Sequence, residues 1–316
     1  MPLYLTEDDV RATFTMTDAL RVLDDAARKL SAGVAMNAPR QRVNSGAAVL
    51  QVLPAALDGR VGHKCYTVGK RGPRFWVTLY AAEGEMLALI EANALGQIRT
   101  GAASGLATRC LARADARVLA VIGTGFQAQT QVEAICAARP IERVLAWGRD
   151  PERLRTFCRE MSVKLDLPVD AAPSAQAAVA AAHIVATMTS ASQPVVLGTW
   201  LQAGTHVNAA GSNRANAAEI DPETVRRSAV VAVEDVAQAK VESGDLIGAA
   251  AAGAFDWDRA VRLVDIIAGT VAGRSDDGQI TLFESLGVGI WDVAAASHVY
   301  DACAREGRGS RLPFPG

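Results

Sequence analysis

Cysteine and histidine are scarce in this chain. Among 316 residues there are five cysteines (Cys65, Cys110, Cys136, Cys158, Cys303) and four histidines (His63, His183, His206, His298), all widely separated. An odd, scattered set without a C-x-x-C argues against a disulfide framework and against a zinc or dithiol redox centre. The histidines show no ligand spacing, so no metal is expected. Each cysteine reads as small apolar filler. The five tryptophans (Trp76, Trp147, Trp200, Trp257, Trp291) are dispersed and read as packing rather than a ligand box. No apolar run reaches the ~20 residues that span a bilayer. Positive charge is not in excess: 32 Lys and Arg stand against 34 Asp and Glu, for a net charge of -2. Nothing there would hold a phosphate backbone, which argues against nucleic-acid binding. The start, Met1 to Leu5 followed by Glu7, Asp8 and Asp9, has no basic-then-apolar leader, so a cytoplasmic protein is expected.

What is present is ordinary globular material, 50% hydrophobic and 21% charged, and the length suggests two domains, or one large domain with a lobe attached. Thr6 is placed to cap a short helix, and Thr17 or Asp18 a longer one ending at Gly33. Strand-like segments follow around 40–53, 60–68, 74–81 and 85–91, separated by Asp58-Gly59, Gly72-Pro73 and Glu83-Gly84. These predict a mixed or antiparallel sheet with one helix packed on it. Residues 94–113 read as a helix rich in small side chains, with a boundary at Ala114-Asp115. From Arg117 the pattern changes to strand (117–122), helix (127–138), strand (143–147), helix (151–161) and strands at 183–187 and 205–209. Such alternation implies a doubly wound parallel sheet. The alanine-rich 171–182 stretch reads as a plain helix. A last apolar helix, 286–304, follows a break at Gly273–Gly278 and is placed to return to the first lobe. Asp235 reads as a helix cap, and Asp256-Trp257-Asp258-Arg259 as a solvated helix start.

The sharpest motif is Arg117-Val-Leu-Ala-Val-Ile followed by Gly123, Thr124, Gly125, Phe126, Gln127 and Ala128. A strand, G-x-G-x-x-A and a helix stand in the order that a dinucleotide site requires. The first glycine permits the tight turn, the second lets backbone approach a pyrophosphate, and Ala128 is small enough for helix–strand packing. At the end of the next strand the chain reads Trp147-Gly148-Arg149-Asp150. An NAD enzyme usually carries an acid there for the ribose 2′-hydroxyl. Gly148 replaces it, and Arg149 can meet a 2′-phosphate. NADP(H) is therefore favoured, with NAD(H) open; otherwise Arg149 is a solvated helix-start residue and Asp150 an N-cap.

Three cations stand out before this half: Arg40 after Pro39, Lys64 within a strand, and Arg99 on the small-residue helix. Buried cations need anions, and a substrate carboxylate or cofactor phosphate would serve. At these residues the chain resembles the ornithine cyclodeaminase/μ-crystallin family. The resemblance runs through Pro39-Arg40, Leu53-Pro54-Ala55, Gly62-His63-Lys64, Ile98-Arg99-Thr100-Gly101-Ala102-Ala103, the Gly123–Ala128 turn, His206-Val207-Asn208-Ala209-Ala210-Gly211-Ser212-Asn213, Glu219-Ile220-Asp221 and Ile280 to Gly287. It implies an α/β fold: a Rossmann domain at 115–285, and a substrate and dimerisation lobe from residues 1–114 and 286–316. It implies a homodimer, a carboxylate-binding trio of Arg40, Lys64 and Arg99, and cofactor contacts from Thr100, the glycine turn, Thr187 and Ser285.

The chain departs from the cyclodeaminases at two points. Where they carry a Glu for the substrate's distal amine stands Gln51, and where they carry an Asp stands Asn213. An amide neither takes a proton nor pairs with an ammonium at neutral pH, and Glu219 is the acid at hand to substitute. The resemblance therefore implies the branch of ketimine and cyclic-imine reductases. Its substrates would be compounds such as Δ1-pyrroline-2-carboxylate or Δ1-piperideine-2-carboxylate, reduced to the L-amino acid. An ornithine cyclodeaminase, an alanine-type dehydrogenase or a cofactor-bound binding protein are the alternatives. Arg40 and Arg99 would clamp the carboxylate. Lys64, with its pKa lowered by two neighbouring Arg residues, would donate a proton or orient water. Gln51 and Asn213 would hydrogen-bond a ring nitrogen or a water.

Overall fold

The computed structural model describes residues 1–70 and 72–313. The chain forms two compact units, one of Met1–Ala102 with the segment from Gly287 onward, the other of Ala103–Leu286. The first unit opens with β1 (Leu3–Leu5), α1 (Glu7–Thr13) and α2 (Met16–Ser31). Thr6 and Thr15 each begin a helix through a reciprocal capping box, with Asp9 and Asp18 as the returning acids. The cap of α2 is thus Thr15 rather than Thr17 or Asp18, because Asp18 is the third helical residue that bonds back to it. Then come β2 (Met36–Asn37), β3 (Gln41–Asn44), β4 (Val49–Leu57), β5 (Arg60–Val68), β6 (Arg74–Ala81), β7 (Met86–Glu91) and α3 (Asn93–Leu111). The strand expected at 40–53 is a hairpin instead. Gly46 turns with φ +83°, its N–H bonds Asn44 Oδ1 at 2.8 Å, and β3 returns antiparallel along β4. The Glu7 carboxylate accepts from the first N–H groups of α3, Asn93 and Ala94, at 2.7 Å each. The boundary between the units falls inside α3, not at Ala114-Asp115.

The second unit is a doubly wound Rossmann sheet. Its elements are β8 (Val118–Ile122), α4 (Phe126–Ala138), β9 (Arg143–Trp147), α5 (Pro151–Leu165), β10 (Val169–Ala171), α6 (Ala175–Ala180), β11 (Ile184–Thr187), β12 (His206–Ala209), α7 (Pro222–Arg227), β13 (Ser228–Val233), α8 (Val236–Glu242), α9 (Gly244–Ala251), β14 (Ala260–Arg262), α10 (Leu263–Ala268) and β15 (Ile280–Glu284). The strand order is β10-β9-β8-β11-β12-β15-β13-β14, and every pairing is parallel. Side chains alternate between two cores. Leu119 and Val121 join α4 and α5 on one face, while Ala120 and Ile122 join α6 to α9 on the other. The alanine-rich stretch is shorter as a helix than expected. Ala171 still pairs in β10, and Ser174 caps the helix through Ala177 N. Asp235 caps α8, and Asp256 caps a 3-10 turn at Trp257–Arg259.

The chain then returns to the first unit with α11 (Gly289–Glu306) and β16 (Ser310–Arg311). The helix begins at Gly289 rather than 286, because Gly287 turns the backbone with φ +77°. Gly289 also presses on β4: a Cβ there would lie 2.6 Å from the Leu53 carbonyl oxygen. The mixed sheet runs β16-β1-β7-β6-β5-β4-β2, with β3 also on β4. Helix α11 covers one face across β4, β5 and β6, and α2 packs on α11. The last helix thus returns to the first lobe as expected, and it is this helix that covers the sheet, with α2 packed on it.

Candidate active site

Strand alternation gathers the candidate groups of the first unit. Gly62, Lys64 and Tyr66 are the buried residues of β5, on the face that α11 covers. Gln51, also buried, lies opposite Tyr66 in β4. The Tyr66 hydroxyl donates to Gln51 Oε1 at 2.8 Å. Arg40, just before β3, donates through Nη1 to the Tyr66 oxygen at 2.7 Å and to Gln51 Oε1 at 3.3 Å. Its Nη2 donates to the Gly287 carbonyl at 2.9 Å. A Cβ on Gly287 would lie 3.0 Å from Arg99 Nη1, so the guanidiniums of Arg40 and Arg99 meet the same glycine. Gln51 is turned toward Arg40 and Tyr66, holding the cation rather than offering its carbonyl to a ligand.

One anion faces these cations. Asp292, fully buried on α11, accepts through Oδ1 from Arg99 Nε at 2.8 Å and from Lys64 Nζ at 3.1 Å. Its Oδ2 is buried without a hydrogen-bond partner among the described residues. The Lys64 ammonium also lies 5.8 Å from the ring centres of Tyr66 and Phe75. Burial first, then the Arg99 charge, lowers the Lys64 pKa; Asp292 opposes this, Arg40 adds to it, and the balance falls at about 7. Loss of hydration, rather than the two arginines, is the leading cause. The sequence reading missed Asp292 and Tyr66. Tyr66 shares the period-two face of Lys64, and Asp292 is the only charge in the buried run Gly289–Ala296, so both left a signal.

The second unit carries the glycine turn between β8 and α4. Gly123 has φ +104°, and a Cβ there would collide with the Met188 carbonyl oxygen beyond β11. Gly125 is the N-cap of α4 and, having no side chain, gives it no side-chain bond. The Gln127 amide oxygen is buried without a hydrogen-bond partner among the described residues. A backbone cradle of this kind, at the β8/β11 point where strand order reverses, fits a dinucleotide pyrophosphate. After β9, a Cβ on Gly148 would come within 2.9 Å of Thr124 Oγ1. Arg149 is exposed, and Asp150 caps α5 through Glu152 N and Arg153 N. A second cation, Arg153, went unnoticed in the sequence; its Nε donates to the Thr124 carbonyl at 3.1 Å.

The other expected residues are placed as follows. The Thr100 hydroxyl donates to the Gly96 carbonyl at 2.7 Å. Thr187, at the end of β11, donates to Glu219 Oε2 at 2.9 Å. Ser285, buried beyond β15, donates its N–H to the Ala209 carbonyl at 2.8 Å. Asn213 lies half-buried in the loop after β12, in the second unit, whereas Gln51 is in the first. Glu219, the candidate substitute acid, also accepts from Thr189 N and Oγ1 at 2.6 Å and from Gly211 N at 2.7 Å. Those bonds occupy its acceptor sites and make it a brace between the loops after β11 and β12. His206 is core, bonded to Thr281 and Asn208, with burial lowering its pKa to about 3. Of the cysteines, Cys158 and Cys303 are buried and none of the five is in a disulfide; burial pushes Cys136 up to about 12. Among the described residues no helix is long and apolar enough to cross a membrane.

Comparison with known proteins agrees with this arrangement. The chain is 40% identical, over 232 residues, to a Δ1-pyrroline-2-carboxylate reductase of Bacillus cereus, covering 73% of this chain and 71% of the other. It is 30% identical to an alanine dehydrogenase of Archaeoglobus fulgidus, over 99% and 98% of the two chains. It superposes with a TM-score of 0.94 and 31% identity on the Δ1-pyrroline-2-carboxylate reductase of Thermococcus litoralis, solved with NADH and L-proline, over 98% of this chain and all of the other, whose coverage is 100%. Residues 2–307 match the ornithine cyclodeaminase/mu-crystallin family, and the chain belongs to that family.

Proposed function

We propose that this chain is an NAD(P)-dependent oxidoreductase that reduces the C=N bond of a cyclic imine or ketimine carboxylate to the L-amino acid. Δ1-pyrroline-2-carboxylate and Δ1-piperideine-2-carboxylate are the leading substrates. The observation that carries this reading is the buried Lys64, with its pKa at about 7, flanked by Arg40 and Arg99, with an amide at Gln51. Arg40 and Arg99 draw in the carboxylate by charge-assisted hydrogen bonds. Lys64 is poised to give its proton to the imine nitrogen near neutral pH and to recover one from solvent. Gln51 and Tyr66 keep Arg40 oriented. A bound nicotinamide supplies the hydride. Thr100, Thr187, Ser285 and the Gly123–Ala128 turn are the cofactor side of this reading, with Asn213 bonding the ring nitrogen or a water.

NADP(H) is preferred in this proposal, supported by the guanidinium of Arg149 following Gly148, with Arg153 nearby on α5. The first unit is read as the substrate and dimerisation lobe of a homodimer. The sheet face opposite α11 carries the exposed Val43, Leu50 and Val61, an apolar surface that a second copy would bury; light scattering measures the mass. The test of function incubates the protein with NADPH and each cyclic imine, beside ornithine with NAD. Rapid loss of NADPH without proline from ornithine supports the reading. Proline and ammonia from ornithine overturn it. Selective amination of pyruvate would favour a dehydrogenase instead, as the Archaeoglobus relative allows.

A further inference from the structure

The first eight residues of α11, Gly289–Ala296, are all buried, and Asp292 is the one charged side chain among them. A charge there is costly, and an apolar residue in its place, with apolar residues for its partners, would commonly give a more stable core. Nor is the carboxylate arranged as a structural staple. Bidentate Arg–carboxylate pairs, the strong and geometrically specific kind, use both oxygens. Here Oδ1 serves both Lys64 Nζ and Arg99 Nε, while Oδ2 is buried with no partner among the described residues. One anion is thus divided between two of the three groups assigned to the substrate.

We propose that Asp292 is a positioning residue for imine reduction: its single shared oxygen fixes where Lys64 and Arg99 point, and its negative charge lets Lys64 carry the proton it donates. Among the described residues, the charged and aromatic groups set against Lys64 are Arg40 ahead of β3, Tyr66 on β5, Phe75 on β6, Arg99 on α3 and Asp292 on α11. Of these Asp292 alone carries negative charge. With Asp292 present the cluster holds Arg40, Arg99 and one anion, a net charge of +1 with Lys64 neutral. That matches one substrate carboxylate. Without Asp292 the net charge is +2, and protonating Lys64 would add a third positive charge to a dry site.

The catalytic part of this inference rests on the imine-reductase reading; the electrostatic part does not. The chain has only five lysines (Lys29, Lys64, Lys70, Lys164, Lys240), so lysine labelled with 13C at Cε gives a spectrum that the Lys64→Met variant assigns. In the wild type the Lys64 signal titrates at about 7. In Asp292→Asn its midpoint falls by about one unit or more. A midpoint that stays in place overturns the proposal. Should Asp292→Asn fail to fold, the comparison is made within Arg99→Gln, where one buried cation has gone. Adding Asp292→Asn to that background lowers the midpoint in the same way, or the proposal fails. In turnover, the alkaline limb of the kcat/KM profile moves to lower pH with the midpoint, and Asp292→Glu restores it. A uniform loss at every pH with an unmoved limb marks a structural role only and also overturns the proposal. A wild type that reduces no imine defeats the functional reading, while the titration still decides the role of Asp292.

Discussion

Replacing Lys64 by Met removes an ammonium from the core while keeping the length of its stem, and the consequence for stability follows from proton linkage. In the folded chain Lys64 has a pKa of about 7, against an ordinary 10.5. Below the lower value the side chain is charged in both states, and the whole penalty of burying it is present. Above the higher value it is neutral in both, and the penalty has gone. Between them the unfolded chain binds more protons, so the wild type gains stability relative to Lys64→Met as the pH rises. From about pH 7 to about pH 9.5 that gain is about 3 kcal/mol. Asp292 keeps Arg99 as a partner at 2.8 Å in the variant, so no new orphan anion is made. Urea unfolding followed by tryptophan fluorescence, run on both proteins across this range, measures the difference. All other titrating groups cancel between the two chains. A difference that stays flat within about 0.5 kcal/mol would refute the depressed Lys64 and the proton-donor role built on it.

Three further outcomes are expected. Gly123→Ala places a Cβ against the Met188 carbonyl at φ +104°, so NAD(P)H binding measured by fluorescence titration weakens at least about tenfold through strain of a few kcal/mol; unchanged binding would remove the loop from the cofactor site. Arg149→Ala lowers the ratio of kcat/KM with NADPH to that with NADH by about tenfold or more, the worth of one charge-assisted bond; an unchanged ratio would leave Arg149 as a solvated residue. Tyr66→Phe takes away the oxygen that accepts from Arg40 at 2.7 Å and donates to Gln51 at 2.8 Å. It should raise KM for the imine by about five- to tenfold while changing kcat less, because an Arg40 that has lost one of its holding bonds binds carboxylate less well; equal losses in both constants would count against Arg40 as a ground-state clamp.

The two halves of the molecule were legible in the sequence to different depths. The Rossmann half announces itself because a buried parallel strand is a short apolar run and its glycine turn has a steric reason for each small residue. Leu119 to Ile122 and Gly123 to Ala128 could hardly be read otherwise. The first unit was harder. Its hairpin at Asn44 to Ala48 hid inside what read as one strand, since the turn is made by Ser45 and Gly46 with no proline to mark it. The three cations stood out because each interrupts an apolar context, and burial of Arg40, Lys64 and Arg99 follows from that context. Their anion did not stand out, because Asp292 lies nearly two hundred positions beyond Arg99 and only the return of α11 brings it near. Sequence neighbours likewise gave Arg149 prominence over Arg153, although one turn of α5 carries the latter to the Thr124 carbonyl.

The first unit is assembled from the two ends of the chain, with residues 103–286 intervening. During synthesis the sheet strands β1 to β7 leave the ribosome long before the helix that covers them. The Rossmann core, continuous in sequence, has every strand it needs once residue 286 has emerged. The cationic cluster therefore spends most of translation without its counter-ion, its lysine and arginines in water, and closes only when α11 arrives. Truncation within this helix removes the cover of the sheet and, if it falls before Asp292, the acid that bonds Lys64. Nascent chains halted there would carry a finished nucleotide half joined to an open, apolar sheet, the form that chaperones hold and proteases remove.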